Sequence, residues 1–254
     1  MAVNIDLVGK SAIVTGGGRG IGRETALLLA QAGACLTIAD LDETSAKSVA
    51  DEIQSKGGRA IAFKTDVTSA ESTQAMARAA LDAHGRIDIL VNNAAVWTTK
   101  LFKDMTPQDY ERDIRVTLFG TLNSSRAVLD AMTAQKYGRI VNLISDAGRI
   151  GEPYLSVYSA AKGGVAAFTK AFAKEVGRFN ITVNGVAPGI CNTPGAQGFI
   201  EGAGGAEKLA KAYPLRRLAE PIDIANVILF LASDMSAYMT GQIFSASGGY
   251  TTIG

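Results

Sequence analysis

A chain of 254 residues, 47% hydrophobic and 19% charged, carries enough apolar content for a substantial core. Its net charge of +1, with both signs interspersed, offers no stripe for nucleic acid, and its apolar runs fall short of the roughly 20 residues that a membrane span needs. Cys35 and Cys191 stand at no metal spacing and His84 is the only histidine, which argues against a disulfide framework, a bound metal and Ser-His-Asp chemistry. The opening MAVNIDLVGKS lacks a secretion-signal layout, and a reducing cytoplasm is the expected location.

The first element is the apolar run Ala12-Ile13-Val14, read as a strand with no solvated face. It ends in a glycine cluster and gives way to Arg23 through Ala30, a run of helix formers. Gly16, Gly20 and Gly22 allow a tight turn and a close backbone approach, and the helix start offers free N–H groups to a pyrophosphate. The spacing is G-x-x-x-G-x-G, which is weak evidence by itself.

The next strand, 35–40, ends in Asp40, placed 18 residues past Gly22 where an acid can hold adenosine ribose hydroxyls. Asp40 as a helix cap is the alternative, a task Asp42 can take instead. A helix over 42–56 stops at Gly57-Gly58, a strand covers 59–65, and Asp66 either accepts from an adenine amino group or begins the helix over 69–83. His84 reads as that helix's C-terminal residue. The fourth strand, 87–91, runs into Asn92-Asn93-Ala94-Ala95, small enough for a flat ring to pass. One long helix, capped by Thr106 and opened by Pro107, is expected through about residue 136.

The fifth strand follows Gly138 and ends at Ser145; a helix over 154–179 carries Gly163-Gly164, and the sixth strand, 181–186, leads to Pro188-Gly189. The glycine-rich stretch 190–213 is expected to be mobile, followed by a helix over 221–233 and a last strand over 242–247. Repeated strand-then-helix order without a composition break predicts one doubly wound α/β domain over 1–254.

Tyr158 and Lys162 lie four residues apart on one helix face, so the ammonium is expected to stabilise the phenolate and lower the tyrosine pKa. Ser145 stands 13 residues upstream and can bond the same substrate oxygen. A Tyr-x-x-x-Lys pair alone is common; together with the glycine turn, Asp40 and Asn92-Asn93 it points to proton transfer beside a dinucleotide.

With these motifs the chain resembles the short-chain dehydrogenase/reductase family over its whole length, a Rossmann-like single domain. The resemblance implies a cofactor loop from Thr15 through Gly22, including Arg19 and Ile21, with Asp66-Val67 at adenine and Asn93 in the family's N-N-A-G segment. It implies Ser145, Tyr158 and Lys162 as catalytic residues, and Pro188, Gly189 and Thr193 on the nicotinamide side. Thr117, in I-R-V-T-L-F-G, stands where the family has an asparagine that holds a helix bend and a proton-path water. Its hydroxyl is expected to bond a carbonyl one turn back.

From the resemblance, the expected activity is an NAD-dependent secondary-alcohol dehydrogenase, assembled as a homotetramer whose interface covers the uncharged ending 243–254. The loops after strands four, five and six supply Trp97, Leu101 and Phe102, then Asp146, Ile150, Tyr154 and Leu155, then Ile190 and Phe199. This supply suits a ring-bearing alcohol or ketone, with Asp146 binding a polar ring substituent or capping the turn. The rivals are an NADPH-dependent 3-ketoacyl reductase, a ring-hydroxyacyl-CoA dehydrogenase and a non-catalytic cofactor sensor. Asp40 opposes a 2′-phosphate, and a CoA ester would need cations at the pocket mouth, where Arg149 is the only obvious one among these loops.

Overall fold

Strands buried on both faces need cover on both, and the chain supplies it. A computed structural model describes residues 5–252. It contains β1 (Ser11–Thr15), β2 (Cys35–Asp40), β3 (Ala60–Lys64), β4 (Ile89–Asn92), β5 (Gly138–Leu143), β6 (Ile181–Pro188) and β7 (Ile243–Ala246). All pair in parallel, in the order β3-β2-β1-β4-β5-β6-β7. Alternation within β1 shows the two-sided burial: Ala12 and Val14 join one apolar cluster, Ile13 the other.

The first cluster takes Leu29 of α1 (Gly20–Gln31), Ile53 of α2 (Glu43–Ser55) and Ile228 of a later helix, Pro221–Ala232. The second takes Met76 of α3 (Ala70–His84), together with Met132 and Phe172 from the two long helices that follow. The sheet is therefore doubly wound, and the strand order reverses between β1 and β4. That reversal opens a crevice at the carboxyl ends of the strands.

The single helix expected over 107–136 is two. α4 (Pro107–Ile114) begins in a Thr106–Asp109 capping box and passes through a wide π turn, Arg115–Phe119, into α5 (Gly120–Gln135). The Thr106 cap and Pro107 mark only where the first helix begins, and the π turn that divides the two is a single turn within a helical run. β5 stops at Leu143, so Ser145 lies beyond the strand, followed by the one-turn α6 (Ala147–Ile150). α7 (Ser156–Val176) begins after Tyr154, which sits at φ +65 and cannot belong to a helix. Within 190–213 lie α8 (Gln197–Gly202) and α9 (Ala206–Ala210), gathered around Ile200, Tyr213 and Leu218. Pro221–Ala232 is α10. Ile253 and Gly254 of the uncharged ending lie outside the described residues.

Candidate active site

The carboxyl ends of the strands line one cavity of about 550 Å³. At one end is the glycine turn. Gly16 and Gly20 have φ of +61 and +55, and a Cβ on Gly22 would lie 2.1 Å from the Gly16 carbonyl oxygen. Any side chain at Gly22 would displace the turn. α1 starts without a side-chain cap at Arg19, which leaves its first N–H groups for a ligand. Asn93 lines the cavity, and its Nδ2 donates to the carbonyls of Thr15 and Gly16, each at 2.9 Å. That amide ties the turn to the end of β4.

Asp40 ends β2 on the cavity wall; its Oδ2 accepts from Gly18 N–H at 2.9 Å and its Oδ1 from Asp42 N–H at 3.0 Å. Capping of α2 falls to Asp42, which accepts from the Thr44 and Ser45 N–H groups. Asp66 lines the cavity with Val67 and accepts from the Thr68 hydroxyl at 2.7 Å, while Ser69 caps α3. Arg19, Ile21, Pro188, Gly189 and Thr193 also line the cavity. An uncapped helix start behind a turn that admits no side chain, with a carboxylate beyond, fits a dinucleotide.

Ser145, Tyr158 and Lys162 meet midway along the cavity. Gly148 lets α6 close on α7, since a Cβ there would lie 2.6 Å from Lys162 Cβ. Ser145 Oγ accepts from Ala147 N–H at 3.2 Å. Lys162 is 2% exposed; its Nζ donates to the Leu143 carbonyl and lies 5.7 Å from the centre of the Tyr158 ring. Burial pushes Lys162 down to about 7. Burial also raises Tyr158 above its ordinary value; the Ser145 hydroxyl lowers it, and the Asp113 carboxylate raises it further. The expected lowering by lysine is thus not the net direction, because both groups are desolvated and the ammonium is held by a carbonyl.

Thr117 is fully buried in the π turn. Its hydroxyl donates to the Val96 carbonyl at 3.1 Å and accepts from Val96 N–H at 3.3 Å. The partner is therefore the segment after β4, not a carbonyl one turn back.

At the far end, Trp97 packs 5.8 Å from the Tyr158 ring, and Asp146, Leu155, Ile190 and Phe199 share the wall. Ile150 and Tyr154 do not: they are 47% and 52% exposed and lie outside the cavity, as do Leu101 and Phe102. α6 turns Ile150 outward, and the left-handed residue Tyr154 swings away before α7. In their place stand Glu152, Leu209, Tyr213 and Tyr250, which the sequence reading did not assign to the pocket. Tyr213 and Tyr250 stack at 5.1 Å, and the Tyr250 hydroxyl donates to Glu152 Oε1 at 2.9 Å. The one sequence signal for Tyr250 was its place in the uncharged ending. Asp146 is 3% exposed, burial raises its carboxyl, and its Oδ1 accepts from the Thr251 hydroxyl at 2.7 Å. Asp146 therefore ties the loop after β5 to the C-terminal segment.

A family model described as enoyl-(acyl carrier protein) reductase matches residues 16–251. The chain is 40% identical over 245 residues to a 3-oxoacyl-[acyl-carrier-protein] reductase of Synechocystis, covering 96% of this chain and 97% of that protein. It is 39% identical over 240 residues to the (2S)-[(R)-hydroxy(phenyl)methyl]succinyl-CoA dehydrogenase subunit BbsD of Thauera aromatica, covering 94% and 96%. A solved structure of a candidate short-chain alcohol dehydrogenase from Sinorhizobium meliloti superposes with a TM-score of 0.92 at 35% identity, covering 96% and 97%.

Proposed function

The chain belongs to the short-chain dehydrogenase/reductase family of nicotinamide-dependent oxidoreductases, and from that premise we propose that it interconverts a hydroxyacyl thioester and its oxoacyl counterpart with NAD as the cofactor. The observation that carries the thioester is the near full-length similarity to two relatives whose names specify thioester substrates, one acyl-carrier-linked and one CoA-linked. It ranks above the free ring alcohol that the loop composition favours. The aromatic wall of Trp97, Phe199, Tyr213 and Tyr250 supports a ring-bearing group as the second reading. Asp40 supports NAD, because its carboxylate suits ribose hydroxyls and repels a phosphate. A homotetramer in the cytoplasm belongs to the same proposal.

The nicotinamide, when bound, accepts or supplies the hydride. Tyr158 takes the alcohol proton in oxidation and returns it in reduction. Ser145 bonds the same substrate oxygen and so fixes the carbon bearing it beside the cofactor. Lys162, buried against Leu143 and 5.7 Å from the centre of the Tyr158 ring, would hold the cofactor ribose and favour the Tyr158 phenolate. Trp97 and Leu155 flank this point and limit water.

The test compares a 3-oxoacyl-CoA, cyclohexanone and a 1-arylethanone, each with NADH and NADPH. The proposal expects the thioester with NADH to give the highest kcat/KM. A higher value for either free ketone would overturn the thioester assignment, and equal use of NADPH would overturn the cofactor.

A further inference from the structure

The segment from α9 to residue 217 presents two different faces. Leu209, Ala212 and Tyr213 line the cavity, whereas Lys208, Lys211 and Arg216, next to them along the chain, are exposed and lie outside its lining. Two bonds hold them together: the Lys211 backbone N–H donates to the Lys208 carbonyl, and the Arg216 guanidinium donates through Nη1 to the Lys211 carbonyl at 2.7 Å. Arg216 adopts φ +55, an uncommon conformation for a residue other than glycine. Glu207 is the only acid between residues 206 and 217. Among the described residues no carboxylate pairs with these three cations, whereas neighbouring Arg217 is paired with Asp223. Leu215, which precedes Arg216, is 66% exposed.

The inner wall is unlike this rim. The acids Glu152 and Asp146 stand at the substrate end, and the cavity's cations, Arg19 and Lys162, stand at the cofactor and catalytic positions. A phosphate on the substrate is therefore repelled inside and attracted at the rim. Coenzyme A has this distribution of charge: a neutral pantetheine arm carries the acyl group, and a diphosphate and a 3′-phosphate lie at the other end. The three cations occupy one short segment, a footprint suited to a nucleotide rather than to the broad face of a carrier protein.

We propose that Lys208, Lys211 and Arg216 form a phosphate-binding rim for the nucleotide end of a coenzyme A thioester whose acyl group enters the cavity. The inference rests on the thioester reading and adds which thioester and which residues recognise it. These cations lie in the stretch after strand six and add to Arg149, the one noted among the loops in the sequence analysis.

The test is a triple variant, Lys208→Gln, Lys211→Gln and Arg216→Asn, the last chosen because asparagine tolerates the left-handed backbone. Steady-state kinetics compare 3-oxobutanoyl-CoA with the N-acetylcysteamine thioester of the same acyl group, which has no phosphate. The KM for the CoA ester rises about tenfold and loses its salt dependence, while kcat and the KM for the short thioester stay unchanged. An equal change for both esters, or none, overturns the rim. So does a KM increase confined to an acyl-carrier-protein thioester. Calorimetry with free coenzyme A separates the two claims: if neither thioester turns over, the function reading falls. Binding of coenzyme A by the unmodified protein but not by the variant still supports the rim, and no binding by either overturns it.

Discussion

The hydroxyl of Thr117 meets both backbone groups of Val96, donating to its carbonyl at 3.1 Å and accepting from its N–H at 3.3 Å. One oxygen thus pins the π turn between α4 and α5 to the segment after β4, which carries Trp97. Thr117→Val removes both bonds and leaves the part-buried N–H and carbonyl of Val96 without this partner, at about 1 kcal/mol. An amide can donate and accept at the same place, so kcat should fall further in Thr117→Val than in Thr117→Asn. Equal kcat across the three proteins would remove this position from the catalytic apparatus.

Asp40 is aimed by two backbone N–H donors, Gly18 and Asp42. In Asp40→Ala the preference for NAD over NADP should narrow by about tenfold in kcat/KM. Parallel assays with the two cofactors measure it, and an unchanged ratio would place cofactor selection elsewhere.

Tyr158→Phe removes one oxygen and leaves the ring that packs on Trp97. Turnover should drop at least about 100-fold, with cofactor binding retained by fluorescence titration. A variant that keeps most of its activity would disprove the proton-transfer role.

Lys162 is pushed down to about 7 by burial, from an ordinary 10.5. Between these values the unfolded chain binds more protons at this position than the folded one. Stability from this group therefore rises as pH increases from about 7 towards 10.5 and is weakest below 7. Urea unfolding of the protein and of Lys162→Met at pH 6, 7.5 and 9 tests the sign. The stability of the protein relative to Lys162→Met should increase as pH rises, and a constant difference would contradict it.

The bond from Thr251 to Asp146 ties the C-terminal segment to the loop that carries Ser145, and Tyr250 then forms part of the pocket wall. Thr251→Val should raise the substrate KM about fivefold with kcat nearly kept, and Thr251→Ser should restore it. A fall in kcat without a change in KM would show that the bond does not serve the wall.

What the sequence determined by itself is what near neighbours along the chain impose. Glycines at 16, 20 and 22 require a tight turn, apolar runs without alternation require a sheet covered twice, and four-residue spacing sets Lys162 beside Tyr158. Asp40 was legible because a strand's end lies at a known point of such a sheet, whereas Ser145 falls two residues past the end of its strand. Tertiary structure alone decided the rest. The resemblance pointed to a helix bend at Thr117, but only packing reveals its form as a π turn and the bond from Thr117 to Val96. Ile150 and Tyr154 are close in sequence to the catalytic groups yet face solvent, because α6 and one left-handed residue direct them outward. Tyr250, nearly 100 residues from Glu152, completes the wall through its contacts with Glu152 and Tyr213. Such convergence depends on how helices and loops pack on the sheet, and no local spacing records it.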